Sequence, residues 1–280
     1  RPLTWLALGS TARREAVPSS DVDSALAWAG PGGDDSAAGY ARELAGRVLD
    51  GLAAAGFPAD ANGAVATNPL FARSLPAWTA LTRSWLVDPL QEKAPILVSL
   101  IADGRPVWGL PAAAGSDTAV PDVFREARSH PDVLRLLGRY ALAHRPPTGF
   151  LRDLMVEYSG LRRGHLDLKR SGLVPIVDLA RWAGMAAGVA SATTPARLRA
   201  AAAAGTLDAD DAATLEEAFH LVLGLRMGHQ IRQLSAGQRP DDLVRPRDLG
   251  AVTRASLREA FRAVASVQRQ LSAELDIGAR

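Results

Sequence analysis

The sequence predicts an α+β protein: a small mixed β-sheet domain over residues 1–115, then an all-α helical bundle over residues 120–280. Three observations carry this expectation. Runs of strand length (Leu3–Leu8, Asp21–Trp28 and Pro95–Ala102) are confined to the first 110 residues. The second half is rich in Ala and Leu, with helix-length segments at roughly 121–143, 148–160, 175–187, 195–204, 208–235 and 253–275. Its breaks carry Pro or Gly (Pro146-Pro147, Gly172, Pro195, Gly205, Gly237, Pro240), and short links between amphipathic helices suit an antiparallel bundle. The boundary between the domains is expected at 110–120, in the Pro111–Ser116 stretch.

Taken in order, Leu3–Leu8 reads as a buried strand ending at Gly9-Ser10. Asp21–Trp28 alternates and reads as a second strand. Pro31-Gly32-Gly33 makes a loop, and Asp35 or Ser36 caps a helix that runs to about Ala55 and closes at Gly56. Gly30, Gly32 and Gly33 form a strand–helix connection, not a dinucleotide fingerprint or a phosphate loop. Asn68-Pro69 is a turn, and Ser74 with Pro76 opens a helix to about Leu86. Pro95–Ala102 (PILVSLIA) is the most strand-like run in the chain.

Composition narrows the chemistry. Cysteine is absent among the 280 residues, which excludes disulfides, thiolate metal sites, iron–sulfur clusters and thiol nucleophiles. No apolar run approaches about 20 residues, so no membrane helix is expected, and the location expected is cytoplasmic. The chain begins at Arg1 and reads as a piece of something longer. The net charge of +2 is too small to argue for nucleic acid, and basic–aromatic stretches are lacking. The charge is uneven: residues 1–125 carry net −3 and residues 126–280 net +5, as a metal site beside a phosphate site would, or as chance allows.

The strongest local signal is Leu8-Gly9-Ser10-Thr11-Ala12-Arg13-Arg14-Glu15, then Ser20-Asp21-Val22-Asp23. In a strand, residues i and i+2 share a face, so Asp21 and Asp23 present two carboxylates side by side. Two such charges favour a divalent cation, and hard oxygen ligands suit Mg²⁺. Gly9 lets backbone approach a phosphate, Ser10 can donate to it, and Arg13 and Arg14 supply charge for a triphosphate. Glu15 pairs most simply with one of those arginines. A third carboxylate is wanted nearby, and Asp103, at the end of Ile96–Ala102, is the candidate; it also fits a plain turn before Gly104. Three carboxylates could hold two Mg²⁺ ions about 3.5–4 Å apart, an arrangement suited to in-line nucleotidyl transfer.

Gly-Ser, a ten-residue spacer and Asp-x-Asp resemble the polymerase-β-like nucleotidyltransferase superfamily. The string GSTARREAVPSSDVDSALAW is similar to bacterial nucleotidyltransferase-like proteins found behind cyclic-nucleotide-binding and CBS domains. These are relatives of the uridylyltransferase and adenylyltransferase that modify nitrogen-regulation proteins. Gly9, Ser10, Arg13, Glu15, Asp21 and Asp23 match the family pattern, while Ala12 stands where Gly is usual and Thr11 where Glu is frequent. IADGRPVWG resembles the family's third-acid segment, with Asp103, Arg105 and Gly109. HLDLKRSGLVPIVDLARWAG and LRMGHQIRQLSAG resemble its second-domain signatures, with Asp167, Lys169, Gly172, Pro175, Asp178 and Arg181, then Arg226, His229 and Gln230. The resemblance spans about 1–275. It implies a nucleotidyltransferase domain and a helical substrate-binding domain, with NTP as substrate, two Mg²⁺ ions, a protein or small-molecule acceptor, and sensor domains in a parent chain. By this reading Asp21, Asp23 and Asp103 bind metal and are catalytic, and Gly9, Ser10, Arg13, Arg14 and Lys169 meet the nucleotide. A second reading is a non-catalytic nucleotide- or partner-binding signalling module on the same fold.

Several of these residues also fit ordinary structural roles. Lys169 also fits a solvated lysine, and Asp178 with Arg181, at i and i+3, a surface ion pair. Arg226, His229, Gln230 and Gln233 form one polar helical stripe that faces either a cleft or solvent, with Leu221, Val222, Leu225 and Ile231 available for the apolar side. His130, His144, His165 and His220 have no metal spacing and no evident partner in the sequence.

Overall fold

The computed structural model describes residues 2–30, 35–90, 94–109, 126–147, 164–189 and 192–275. Its contacts divide the chain into two units. The first comprises Arg1–Ala16, Ser20–Val133 and Gly188–Thr193; the second comprises Val17–Ser19, Leu134–Ala187 and Thr194–Arg280. The expected boundary at 110–120 and the expected helix at 148–160 lie outside the described residues.

In the first unit, β1 (Leu3–Ala7) and β2 (Ser24–Trp28) pair antiparallel, from Leu3 opposite Trp28 to Ala7 opposite Ser24. β3 (Ala72–Ser74) runs parallel to β2, and β4 (Arg105–Gly109) runs antiparallel to β1, giving the order β3-β2-β1-β4. Every residue of β2 is buried, as a central strand covered on both faces requires. One face packs on α2 (Asp35–Ala54), whose Ala37, Ala41, Ala45 and Leu49 recur every four residues against Leu3, Trp5, Leu26 and Trp28. Trp78 of α3 (Leu75–Val87) is buried and donates its indole N–H to the Leu26 carbonyl at 3.0 Å. Ser74 caps α3, its hydroxyl accepting from the Ala77 N–H, with Pro76 in the first turn, as the sequence predicts.

The strand expected at Pro95–Ala102 is instead a helix, α4 (Ala94–Ala102). An uninterrupted apolar run carries no periodicity, so it fits a buried helix as well as a strand. Here Leu97, Val98, Ile101 and Ala102 are buried while Ile96 is half exposed, a helical pattern. The strand comes just after it, as β4. The expected strand at Asp21–Trp28 likewise starts late. Residues 21–23 precede β2 and pair only through an isolated parallel bridge between Val22 and Ala59. A four-residue helix, α1 (Gly9–Ala12), follows β1.

The second unit holds most of α5 (Pro131–Ala143), a π-helical turn (Leu168–Leu173), α6 (Val174–Ala186), α7 (Thr194–Ala203), α8 (Ala209–Ser235) and α9 (Ala251–Glu274). The last four coincide with expected segments. α6 is buried over eleven successive residues from Pro175 to Met185, which makes it the centre of this unit. A two-stranded ribbon of β5 (Leu166–Asp167) and β6 (Leu243–Val244) is the one departure from all-helical structure among the unit's described residues.

Candidate functional site

The Val22 backbone builds the site. Its N–H donates to the Pro58 carbonyl at 2.8 Å, and its carbonyl accepts from the Asp60 N–H at 3.3 Å. Both backbone hydrogen-bonding groups of Val22 are thereby fixed to residues 58–60. The Leu8 N–H donates to the Asp23 carbonyl at 3.0 Å, tying the segment to the end of β1. Carboxylate oxygens of Asp21, Asp23 and Asp60 then all lie within 4.8 Å of one another. Asp21 and Asp23 are half-buried and Asp60 is buried.

Asp60 was not singled out from the sequence. It is held in place by the Ala64 N–H at 2.8 Å and the Asn62 side-chain amide at 2.9 Å. Burial pushes its carboxyl up, but the hydrogen bonds from the Ala64 and Asn62 backbones and from the Asn62 and Asp21 side chains outweigh burial and hold it below the ordinary 3.8. A signal was present: Asp60 is the one acidic residue between Asp50 and Asp88, in an Asp-x-Asn-Gly turn.

Gly9 lies against this trio. Its φ is +53°, and a Cβ there would collide with Asp23 Oδ2. Only glycine satisfies both the left-handed backbone and the close approach. Ser10 follows, half-buried, and Arg14 is exposed with φ of +61°.

Asp103 is not a member of the trio. It is fully buried and paired with Arg13, whose Nε also holds Glu15 at 2.8 Å. Arg13 is thus engaged by two carboxylates beneath the Gly9–Ala12 turn. Arg105 supports the same turn, donating to the carbonyls of Ala12 at 2.8 Å and Thr11 at 3.1 Å. Burial, then the neighbouring Arg14, lowers the pKa of the Arg105 guanidinium. The segment Asp103–Arg105 therefore braces the Gly-Ser turn. The placement differs from expectation because Asp103 ends a helix rather than a strand beside Asp21 and Asp23.

The remaining candidates belong to the second unit. Lys169 is exposed on the π-helical turn, which Asp167 caps by accepting from the Arg170 N–H at 2.8 Å. Arg226 and Gln230 are buried, not turned to solvent. Arg226 grips Asp242 with two hydrogen bonds, at 2.5 and 3.0 Å, and Gln230 donates to the same carboxylate at 2.6 Å. The other half of the stripe reaches Asp241: His229 at 3.4 Å and Gln233 at 3.1 Å. Burial opposes the Asp241 charge, but the Leu243 N–H, Gln233 and His229 prevail and lower its pKa. Ile231, expected on the apolar side, is half exposed.

Two further expectations change. Asp178 and Arg181 do pair, at 2.6 Å, but both are buried. His144 does have a partner: its Nδ1 lies 3.0 Å from Asp178 Oδ2, across 34 residues of sequence.

The small sheet, the Gly9-Ser10 turn and the clustered aspartates are features of a nucleotidyltransferase-type domain. The family model described as "Putative nucleotidyltransferase substrate binding domain" matches residues 131–275, and that described as "Putative nucleotidyltransferase DUF294" matches residues 1–92. The chain belongs to this two-domain nucleotidyltransferase family. No curated protein matches it. Among the described residues, no helix is long and apolar enough to cross a membrane.

Proposed function

We propose that this chain transfers a nucleoside monophosphate from an NTP to a hydroxyl of a protein or small molecule, with Asp21, Asp23 and Asp60 as the divalent-metal ligands. The observation that carries this is the convergence of three carboxylates beside the Gly9 turn. An all-oxygen, triply anionic donor set fits Mg²⁺, and on chemical grounds fits no soft metal. Bound there, Mg²⁺ would neutralise triphosphate charge and make the acceptor hydroxyl easier to deprotonate.

The chain's own groups supply the rest. Gly9 and Ser10 offer a side-chain-free approach for phosphate oxygens and a hydroxyl donor, and exposed Arg14 adds a positive charge. Arg13, Asp103 and Arg105 keep that turn in register with Asp23. The acceptor oxygen forms a bond to the α-phosphorus as the bond to the pyrophosphate oxygen breaks, and the hydroxyl proton passes to solvent.

The test is the thermal shift of the chain with ATP, GTP, CTP and UTP, each with and without Mg²⁺, in wild type and Asp21→Asn. Ligand at a hundred times Kd stabilises by about 2.7 kcal/mol, a shift of several degrees. A Mg²⁺-dependent shift for one NTP, absent in Asp21→Asn, supports the reading and names the donor. Equal shifts with and without Mg²⁺, retained in Asp21→Asn, would favour a non-catalytic nucleotide-binding module instead.

A further inference from the structure

Alternation along β2 sorts its side chains onto two faces of the sheet. The N–H groups of Val22, Ser24 and Leu26 donate to the carbonyls of Pro58, Ala64 and Phe71, so the pleat runs unbroken from Val22 to Leu26. Leu26 and Trp28 pack on α2, and so does Ala72, the β3 residue opposite Leu26. Asp23, Ala25 and Ala27 take the other face, and with them Arg73, which lies opposite Ala27. Arg73 therefore shares a face of the sheet with Asp23, four residues or about 13 Å of strand away. Its side chain turns back toward that end of the strand. Nε donates at 3.1 Å to the carbonyl of Leu70, two residues before Ala72 and so toward the Ser24 end of β2.

Arg73 is half-buried, and among the described residues no carboxylate pairs with it. Burial lowers the pKa of its guanidinium, and no neighbouring charge opposes that. α3 starts two residues later with no acidic residue in its first turn, so the positive end of its dipole adds to the charge here. A cation drawn partly out of water without a partner is a cost to the folded chain, and a bound anion would offset it. Nε is tied to Leu70, which leaves both terminal nitrogens of the guanidinium fork for such an anion. The strand order β3-β2-β1-β4 puts Arg73 on one side of β2 and the Gly9-Ser10 turn, which follows β1, on the other. In-line transfer needs the same division, with the leaving pyrophosphate and the acceptor on opposite sides of the α-phosphorus.

We propose that Arg73 is a binding residue for an anionic acceptor, one that carries a phosphate or carboxylate group beside the hydroxyl that receives the nucleotide. The proposal rests on the reading of Asp21, Asp23 and Asp60 as metal ligands and of the Gly9-Ser10 turn as the triphosphate side.

The experiment uses the full chain with saturating Mg²⁺ and the α,β-methylene analogue of the NTP that it binds, so that the triphosphate side is filled. Glycerol 3-phosphate is then titrated by calorimetry, with glycerol as the neutral control. Wild type should bind glycerol 3-phosphate and not glycerol. Arg73→Gln and Arg73→Met should weaken that binding by about ten- to hundredfold, the range expected from losing hydrogen bonds to a charged group, and leave nucleotide affinity within about twofold. Both variants should also melt at or above the wild-type temperature, because they remove a partly buried charge that no carboxylate balances; loss of a structural arginine would lower it. If wild type does not bind glycerol 3-phosphate, or the variants bind it equally well, the acceptor role is overturned. It is overturned too if the variants lose the nucleotide analogue instead, which would give Arg73 to the triphosphate, or if neither variant folds, which would make it structural. If no NTP binds with Mg²⁺, or Asp21→Asn binds it as wild type does, the metal reading fails and this inference with it.

Discussion

Asp103 is fully buried and forms an ion pair with Arg13, which in turn holds Glu15. The pair links the end of α4 to the turn after β1, across 90 residues of sequence. It places two negative charges on one buried guanidinium and leaves Asp103 no exposed edge for a ligand. The acid that the sequence offers as a third ligand thus braces the turn, and Asp60 stands with Asp21 and Asp23 instead.

Asp103→Asn should therefore act on stability. Breaking one side of a buried pair typically costs about 3–5 kcal/mol. Urea unfolding should show a loss of that order, and Mn²⁺ affinity of the folded fraction should stay within about threefold of wild type. A stable Asp103→Asn protein that has lost its metal would reverse the assignment.

Asp60→Asn should show the opposite balance. The amide oxygen can still accept from the Ala64 N–H, so the turn keeps its main support. The charge, however, is removed from within 4.8 Å of two other carboxylates. Without metal, the hydrogen bonds that favour the ionised Asp60 are weakened, so the melting temperature should fall by a few degrees at neutral pH. The stabilisation by added Mg²⁺, measured by calorimetry, should disappear.

Gly9→Ala tests the approach of the turn to Asp23. A left-handed conformation costs alanine about 1–2 kcal/mol, and the new methyl collides with the Asp23 carboxylate. Unfolding free energy should fall by at least that strain, and metal affinity should fall as Asp23 is displaced. Adding Asp23→Ala to Gly9→Ala removes the collision but not the strain, so the two losses should be less than additive in a double-mutant cycle.

What was legible in the sequence follows from what is local. Gly9-Ser10 and Asp21-Val22-Asp23 could be found because their chemistry sits in one short stretch. α6 to α9 could be placed because Pro, Gly and helical periodicity mark their ends. The apolar run before Asp103 fits strand and helix equally, since eight residues with one polar member carry no period, and Asp103 therefore follows a helix where the sequence predicts a strand. Asp60 reaches the trio only through a bridge between Val22 and Ala59, a pairing that no local pattern encodes. The Arg226–Gln230 stripe was visible as a pattern, but its direction depended on Ser19 and Asp242.

The same holds for His144, just past the end of α5, whose partner Asp178 lies on α6. The hydrogen bond to Asp178 raises the imidazole pKa above the ordinary 6.5. Partial burial and Arg170 oppose it, and the Asp178 charge assists it. Asp178 also accepts from Arg181, and the Tyr140 ring meets His144 edge-on. The charged imidazolium is thus favoured by the folded protein. A group whose pKa is raised on folding stabilises fully below its unfolded value, and that contribution fades as pH climbs through the folded value. Wild-type stability should therefore decline from about pH 6 upward, beyond the change in His144→Gln, which lacks the titrating group. Urea midpoints for the two proteins at a series of pH values between about 5.5 and 8.5 give the comparison. Parallel curves would mean that the Asp178–His144 contact does not carry a proton-linked charge, and that Arg181 alone balances the buried carboxylate.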